Sequence, residues 1–489
     1  MAQTKAAKRP LLRQLIWLCI AIGAMLAIHL LPLPAANGAE ASLSPAGKST
    51  IAVLAFSLIL WITEVIPFHI TGLTACVLLT LFRADTFVSV IKAGFGSDSV
   101  VFFMGVLIIS AVISTSGLDR RFSVFVLSKT GNRTGAVLLG FLVAGVVISM
   151  WITAMAGAAI LLPLAKSVLQ EERVKPRHSN FGKALMIACA WGPLIGGIAT
   201  PAGSSPNPIA IAFVRDMLGV NIGFFDWMLY GIPCAALLVL PAWFILMKMY
   251  PPEIQRLSKT REQLKRDFAT LPAMNRNERA AVAVFGLTIA LWLFTPLLET
   301  WLRIGIPTSM PAVLGGCLCF FPGFTTFRWK GISTKISWDG IILVATGMSL
   351  GLTLNSTGAA AWLATILLGN VLKLPALLLI FMIIMIIMFI KIGLSSNGVT
   401  ATVVTPMIIA LAASAGLTSE AAMALIIPSN LTLSLAFVLV TSSPTSVIPY
   451  SAGYFSISDF AKSGAVMTVV AAVIMTFAIY GIGSLSGVY

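Results

Sequence analysis

The chain has 489 residues, of which 58% are hydrophobic and only 10% are charged, and its mean hydropathy is +0.98. This composition excludes a soluble globular protein, and the apolar runs are long enough to cross a bilayer. The net charge of +15 could suggest a nucleic-acid partner, but the basic residues lie between the apolar runs and not in one patch. Their placement indicates membrane topology and no nucleic-acid binding.

The apolar segments predict an all-α polytopic membrane protein with about 11 transmembrane helices and two re-entrant helical hairpins. The predicted crossings are 14–32, 49–67, 69–83, 98–118, 181–214, 229–249, 281–298, 307–323, 339–366, 420–455 and 463–486. The predicted hairpins are 134–170 and 374–415, because each of these apolar stretches has a polar interruption near its middle.

Flanking charges orient these segments. Basic residues precede and follow the first hairpin, so both of its ends are expected in the cytoplasm, whereas only Lys373 and Glu420 flank the second. An odd number of crossings in each half then inverts the second half relative to the first. We expect a multi-pass protein of the cell inner membrane with a retained first helix, a cytoplasmic N-terminus and an extracytoplasmic C-terminus.

The second half of the sequence repeats the first. The turns around Thr153 and Asn397, here called the first and second tips, are each followed by a polar segment, around Ser204 and Ser443, here called the first and second breaks. Matched positions are separated by roughly 240 residues, as in the inverted repeats of secondary transporters. Further matched pairs are Pro163 with Pro406 and Ser116-Gly117 with Thr357-Gly358.

Tips and breaks together predict one binding site. Polar backbone is tolerated at membrane depth only where protein or a water-filled cavity covers it. If the two tips and two breaks converge near the midplane, helix N-termini there favour an anion, and carbonyl and hydroxyl oxygens favour a small cation.

Several motifs resemble those of the divalent anion:sodium symporters. The resemblance covers nearly the whole chain from about residue 49. The motifs are Trp61-Ile62-Thr63-Glu64-Val65-Ile66-Pro67, Met104-Gly105 through Ser116-Gly117-Leu118, Gly203-Ser204-Ser205-Pro206-Asn207, and Ser396-Asn397 with Pro406. It implies transport of dicarboxylates, citrate or sulfate, a sodium ion as the coupling ion with no other cofactor, and a homodimer in which an elevator-type transport domain moves against a fixed scaffold.

The expected domains follow the repeat. They are 1–48, an N-terminal tail and first transmembrane helix; 49–97, the scaffold part of the first repeat; 98–250, its transport part with the cytoplasmic-side hairpin; 251–280, a basic cytoplasmic loop; 281–337, the scaffold part of the second repeat; and 338–489, its transport part with the outer-side hairpin.

The resemblance also implies site residues. Members of the family carry Ser-Asn-Thr at each tip, where Ser and Asn help to hold sodium and side chains contact a substrate carboxylate. The expected substrate-binding residues are Thr153, Ala154, Ser205, Pro206, Asn207, Lys391, Ser396, Asn397, Gly398, Ser443, Pro444 and Thr445. The expected sodium ligands are Ser149, Thr153, Ala199 and Gly203 around the first tip, and Ser395, Ser396, Asn397 and Thr441 around the second.

The first tip departs from the family pattern. It reads Thr153-Ala154-Met155, and Ala supplies neither the amide donor nor the oxygen acceptor of Asn. We therefore expect at most one well-formed sodium site, at the second tip. Sodium-independent anion exchange and transport of sulfate or another inorganic anion are the alternatives.

Among the charged residues within apolar segments, Lys391 is the strongest candidate for a site residue, because it lies five residues before Ser396. Its ammonium either replaces a coupling cation or pairs with the anionic substrate, or it extends toward water without contacting substrate. No nucleophile elbow, HExxH motif or phosphate-binding GK[ST] loop occurs, so an enzyme is not expected. An anion channel would need a polar stripe along a helix, and none is present.

Overall fold

A computed structural model describes residues 11–32, 43–129, 131–257, 266, 270–322, 325–368, 374–394, 396–414, 417 and 419–485. Within these ranges every named element is a helix, and the one β-bridge pairs Arg133 with Arg256. The structure is therefore the all-α membrane protein that the composition predicts.

The first-half helices, with an N-terminal helix before them, follow in chain order. They are α1 (Leu11–Leu30), α2 (Pro45–Thr63), α3 (Phe68–Leu81), α4 (Phe87–Phe95), α5 (Asp98–Ser116), α6 (Leu118–Ser128), α7 (Thr134–Ser149), α8 (Ala154–Glu171), α9 (Asn180–Gly196), α10 (Pro206–Leu218) and α11 (Phe224–Met249).

The second-half helices repeat this order from α12 to α21. They are α12 (Arg276–Leu302), α13 (Ser309–Leu318), α14 (Trp329–Ser333), α15 (Trp338–Ser356), α16 (Ala359–Leu368), α17 (Ala376–Gly393), α18 (Asn397–Ser414), α19 (Ser419–Thr432), α20 (Pro444–Tyr450) and α21 (Ile457–Leu485), with a short 3-10 turn at Val440–Ser442.

Each helix from α2 to α11 has a counterpart from α12 to α21 in the same order. The hairpin α7–α8 matches α17–α18, and the broken pair α9–α10 matches α19–α20. The left-handed Gly117 (φ 85°) after α5 matches Gly358 (φ 76°) after α15, at positions that favour glycine because it lacks a Cβ atom. The duplication read from the sequence is thus a duplication of the fold.

Seven of the described helices are long and apolar enough to cross a membrane, and a bent pair raises this to as many as eight. Two other predicted crossings correspond to the shorter apolar helices α3 and α13. The crossings predicted at 181–214 and 420–455 are interrupted between Gly196 and Pro206 and between Thr432 and Pro444. These gaps contain the two breaks.

One crossing predicted as a single helix is divided in the structure. The segment 339–366 is two helices, α15 and α16, bent by 80° at Thr357 and Gly358. The bend follows the polar residues Asn355, Ser356 and Thr357, and the left-handed Gly358 produces it. The short helices α4, α6 and α14 were also not predicted.

Two of the three buried hydrophobic clusters among the described residues contain most of the core. The larger combines the four hairpin arms with the broken helices, α11 and α21, and a second joins α1, α2 and α3 to parts of α15, α16 and α18. Small residues let backbones approach closely in the larger cluster, as between helices in membranes. A Cβ atom on Gly192 of α9, for example, would lie 2.7 Å from the carbonyl oxygen of Leu142 on α7.

Candidate functional site

The first tip is bound to the first break. Thr153 precedes α8, and its hydroxyl accepts a hydrogen bond from the backbone N–H of Ala156 at 3.4 Å. The N–H of Ala154 donates to the carbonyl of Gly203 at 3.3 Å, and the Thr200 hydroxyl donates to the carbonyl of Met150. These bonds hold the start of α8 against the unwound segment between α9 and α10.

Asn207 organises the first break from inside. Its side-chain amide donates to the carbonyls of Gly197 at 2.8 Å and Thr200 at 2.7 Å. Its side-chain oxygen is buried and has no hydrogen-bond partner among the described residues, and the same is true of the Ser149 hydroxyl. Buried polar atoms are normally paired, so two unpaired oxygens near one tip suggest ligand positions.

The other two ligands predicted around the first tip differ in placement. Gly203 lies deep in the site, since a Cβ atom there would be 2.6 Å from the carbonyl oxygens of Ser149 and Gly197. The carbonyl of Ala199 instead faces α11, where it would be 2.7 Å from a Cβ atom on Gly231. The structure therefore brings Ser149, Thr153 and Gly203 together and directs the Ala199 oxygen toward α11.

The second tip has a similar beginning. The Ser396 hydroxyl accepts from the N–H of Val399 at 3.4 Å, and the Ser396 carbonyl accepts from the Thr400 hydroxyl at 2.9 Å. Asn397 is the first residue of α18, and its side-chain oxygen is buried and unpaired in the described structure. Ser395, also predicted as a sodium ligand, lies outside the described residues.

The second break begins a short helix. Ser443 precedes α20, and its hydroxyl accepts from the N–H of Thr445 at 3.3 Å, while Pro444 occupies the first helical position. The hydroxyls of Ser442 and Ser446 are buried and, within the described ranges, unpaired. Thr441 is exposed in the 3-10 turn.

Contacts between the halves bring tips and breaks together. The Ser434 hydroxyl, in the segment between α19 and α20, donates to the Ser204 hydroxyl at 2.9 Å. A Cβ atom on Gly398 would lie 3.3 Å from the Ser205 hydroxyl, so the second tip touches the first break. Each helix that follows a break packs on the hairpin arm of the other half, α10 on α18 and α20 on α8.

Lys391 lies within this convergence. Its side chain is 2% exposed, and its ammonium donates to the carbonyls of Leu394 at 3.3 Å and Ser442 at 3.2 Å. The lysine therefore joins the second tip to the second break and does not extend to solvent. None of the ion pairs among the described residues gives it a carboxylate partner.

The arrangement suits a small anion with a cation beside it. Helices α8, α10 and α18 begin at the site, and the free N–H groups and dipoles of helix N-termini favour negative charge. Unpaired oxygens of Ser149, Asn207 and Asn397 are the kind of ligand that a hard cation prefers. Among the described residues, no group of three or more His, Cys, Asp or Glu side chains could hold a metal ion.

A cavity of about 620 Å³ reaches the first break from one side. Pro201 and Pro208 line its inner part, and Asp98 and Arg215, paired at 2.7 Å, line its wall. Phe224 of α11 stacks on Trp292 of α12, with ring centroids 4.0 Å apart, at the same cavity. The cavity lies between first-half and second-half helices and meets the first break at Pro201.

Two contributors were missed in the sequence. The Ser434 hydroxyl and the Leu394 carbonyl both join elements of the site, yet neither lies within a predicted motif. The polar run from Ser429 to Ser434 could have extended the second break toward the N-terminus. A backbone carbonyl such as that of Leu394 has no residue-type signal.

Comparisons with known proteins agree with this architecture. A family model described as "Sodium:sulfate symporter transmembrane region" matches residues 12–485. A sodium-dependent dicarboxylate transporter SdcS of Staphylococcus saprophyticus is 25% identical over 466 residues, covering 90% of this chain and 86% of that protein. The SdcS protein of Staphylococcus aureus strain USA300 is 26% identical over 436 residues, covering 86% and 83%.

A solved structure supports the fold alone. The YdaH transporter of Alcanivorax borkumensis, described as having an unusual topology, superposes with a TM-score of 0.58 at 14% identity. The match covers 97% of this chain and 98% of that one, so the whole helical arrangement is shared.

Proposed function

Because this chain belongs to the sodium:sulfate symporter family, we propose that it is a secondary active transporter of small divalent organic anions, C4-dicarboxylates or related di- and tricarboxylates. Relatives named sodium-dependent dicarboxylate transporters favour dicarboxylates over sulfate. The observation that carries the proposal is the convergence of both tips and both breaks, joined by Ser434 to Ser204 and by Gly398 against Ser205.

In this proposal the two substrate carboxylates bind at helix N-termini. One carboxylate faces the start of α8 and α10, at Thr153, Ala154, Ser205 and Asn207, and the other faces Ser396, Asn397 and Gly398 at the start of α18. Thr445 completes the second break. The N–H groups of Ala154, Ala156 and Val399 already have acceptors, so the carboxylate oxygens bind the other backbone N–H groups and the hydroxyls at these helix ends.

Transport into proteoliposomes tests this assignment. Labelled succinate, malate, citrate and sulfate are offered to the purified protein under inward sodium, proton and counter-substrate gradients in turn. We expect succinate or malate uptake that unlabelled dicarboxylate competes away. Absence of uptake of every divalent anion under every gradient would overturn the proposal.

Sodium is proposed to couple at the first tip and not at the second, the reverse of the sequence-based expectation. Ser149 and Asn207 offer unpaired oxygens there, with the Gly203 region between them. At the second tip the carbonyl of Ser442 already accepts from the Lys391 ammonium. A sodium ion about 4 Å from that ammonium would be repelled by about 4 kcal/mol at an effective dielectric constant near 20.

Movement of the hairpin domain is proposed to carry the substrate across. The transport parts of the two repeats, with the hairpins, the broken helices and α11, are expected to slide as an elevator, and α2, α3, α12 and α13 belong to the fixed scaffold. The domain limits stated above remain the proposed ones. A homodimer built on the scaffold, in the cell inner membrane with the N-terminus in the cytoplasm, completes the proposal.

Sodium-independent anion exchange is the second candidate mechanism, and Lys391 favours it. A cation that is part of the chain is present at the site whether or not sodium binds. Uptake measured against sodium concentration separates the two mechanisms, because exchange without sodium persists when choline replaces it.

A further inference from the structure

The second half joins its tip to its break through a side-chain cation. In the first half the equivalent connection is a direct bond between the N–H of Ala154 and the carbonyl of Gly203. In the second half the Lys391 ammonium stands between the carbonyls of Leu394 and Ser442. Two carbonyls from a tip and a break are the kind of oxygens that would surround a small coupling cation in a transporter.

The same tip and break hold two further oxygens. The side-chain oxygen of Asn397 and the Ser442 hydroxyl are buried and unpaired among the described residues, so neither accepts a hydrogen bond from Lys391. A Lys ammonium has three N–H donors, of which two have acceptors in the structure. The second half therefore provides oxygen ligands for a cation, and the cation present is a lysine.

The charge of this lysine is not compensated by the protein. No described carboxylate pairs with it, and its side chain is 2% exposed. An isolated buried charge is costly in the membrane interior, so an anion nearby stabilises the charged form of this lysine. Under the proposed function, that anion is the substrate.

We propose that Lys391 is a built-in replacement for the coupling cation of the second half, so that each transport cycle carries at most one sodium ion, bound at the first tip. The inference rests on the proposed transport of divalent anions. A dianion brings two negative charges, of which Lys391 compensates one and a sodium ion at the first tip compensates the other.

Because Lys391 is part of the chain, it stays at the site throughout the transport cycle. A sodium ion leaves with the substrate, but Lys391 must return with the empty domain. The loaded domain crosses with its charge compensated, whereas the empty domain crosses with one uncompensated positive charge. We therefore expect substrate exchange to be at least about tenfold faster than net uptake, because the return of the empty domain becomes the slow step.

The test uses the purified full-length protein in proteoliposomes, with potassium and valinomycin setting the membrane potential. Succinate uptake and succinate–succinate exchange are measured for wild type, Lys391→Met, Lys391→Arg and the control Lys166→Met. Lys166 is a partly buried lysine of α8 that the site does not use. In Lys391→Met the loaded domain carries one more negative charge, so we expect the exchange rate to become dependent on membrane potential and the ratio of exchange to net uptake to fall. Lys391→Arg and Lys166→Met should behave as wild type does.

The sodium dependence of the wild type keeps the inference testable if Lys391→Met does not fold. A Hill coefficient of about one or less supports it, and two sodium ions carried per dianion would overturn it. Identical voltage dependence of folded Lys391→Met and wild type would also overturn it. Either of these results leaves dianion transport intact, whereas failure of the wild type to carry any dianion would sink the proposed function itself.

Discussion

Ser434 and Ser204 join the two helix breaks directly, through a hydrogen bond of 2.9 Å between hydroxyls that are 230 residues apart. Both side chains are buried, and this bond connects the halves of the repeat at the proposed site. In Ser204→Ala and Ser434→Ala we expect lower stability and weaker succinate binding. A double-mutant cycle should give a coupling of about 0.6–1.5 kcal/mol, in the range of interhelical hydrogen bonds in membranes.

Unfolding by SDS titration, followed by tryptophan fluorescence, measures that coupling. Ser484→Ala is the control, because its hydroxyl bonds within its own helix at an exposed position. Strictly additive effects of the two substitutions would show that the breaks are not energetically connected through this bond.

Gly203 is predicted to be irreplaceable at the first break. A Cβ atom there would lie 2.6 Å from the carbonyl oxygens of Ser149 and Gly197, which are backbone atoms that cannot move aside alone. We expect Gly203→Ala to cost about 1–3 kcal/mol of stability and to reduce succinate transport more than tenfold. Gly286→Ala in α12 is the matched control, since no atom lies within 4 Å of the added Cβ. Wild-type transport by Gly203→Ala would show that the break can widen without harm.

Much of this architecture could be predicted from the sequence because its signals are local. Pro, Gly and hydroxyl residues interrupt apolar runs at matched places, so the hairpin turns near Thr153 and Asn397 and the breaks near Ser204 and Ser443 appear where the pattern puts them. The bend at Gly358 was not predicted, although Asn355, Ser356 and Thr357 precede it, because a short polar stretch does not show that the helix direction changes by 80°.

Contacts between distant residues could not be predicted in this way. The bond from Ser434 to Ser204 depends on how the two halves pack. Lys391 was recognised as unusual, but its acceptors are the carbonyls of Leu394 and Ser442, and every residue carries a carbonyl. The sequence therefore could not show that the Lys391 side chain is buried between the second tip and the second break and does not extend to solvent.

Glu253 lies outside the membrane-spanning segments and is expected to make the stability of the protein depend on pH. Its carboxylate accepts from the Ser179 hydroxyl and from the N–H groups of Asn180 at 3.1 Å and Phe181 at 3.2 Å, at the start of α9. Partial burial favours the protonated form, but these hydrogen bonds, led by that of Ser179, outweigh it and hold the pKa of Glu253 below its ordinary value. Its contribution to stability is thus complete above the ordinary pKa and is lost as the pH falls through the lowered one.

Thermal unfolding from neutral to acid pH checks this sign. Glu253→Gln should lower the melting temperature at neutral pH and flatten the loss of stability in acid. Glu171→Gln, which removes an exposed carboxylate at the end of α8, should leave the profile unchanged. A Glu253→Gln profile that declines in acid as steeply as that of wild type would contradict the assignment.

Phe224 and Trp292 provide a test of the elevator movement. Their rings stack 4.0 Å apart, and we place Phe224 in the moving part and Trp292 in the scaffold. With exposed Cys19 and Cys317 replaced by Ala, a short thiol cross-linker between Phe224→Cys and Trp292→Cys should stop transport, and reduction should restore it. The control joins Gly135→Cys to Trp243→Cys, two neighbours within the proposed moving part, and should remain active. Full transport by the cross-linked Phe224→Cys/Trp292→Cys protein would exclude sliding at this contact.

The substitution Ser149→Ala tests whether the Ser149 hydroxyl binds sodium or has a structural role. Its hydroxyl is fully buried and has no hydrogen-bond partner within the described structure, so Ser149→Ala removes no bond and leaves no group unpaired. We expect unchanged thermal stability without sodium, but an apparent sodium affinity lower by about tenfold, the effect of losing about 1.4 kcal/mol of ligand binding. Sodium titration of succinate uptake measures it, with Ser57→Ala as control because that buried hydroxyl bonds to Val53 within α2. Equal sodium dependence of Ser149→Ala and wild type would remove this hydroxyl from the proposed sodium site, because no lost structural bond is available to mask the effect.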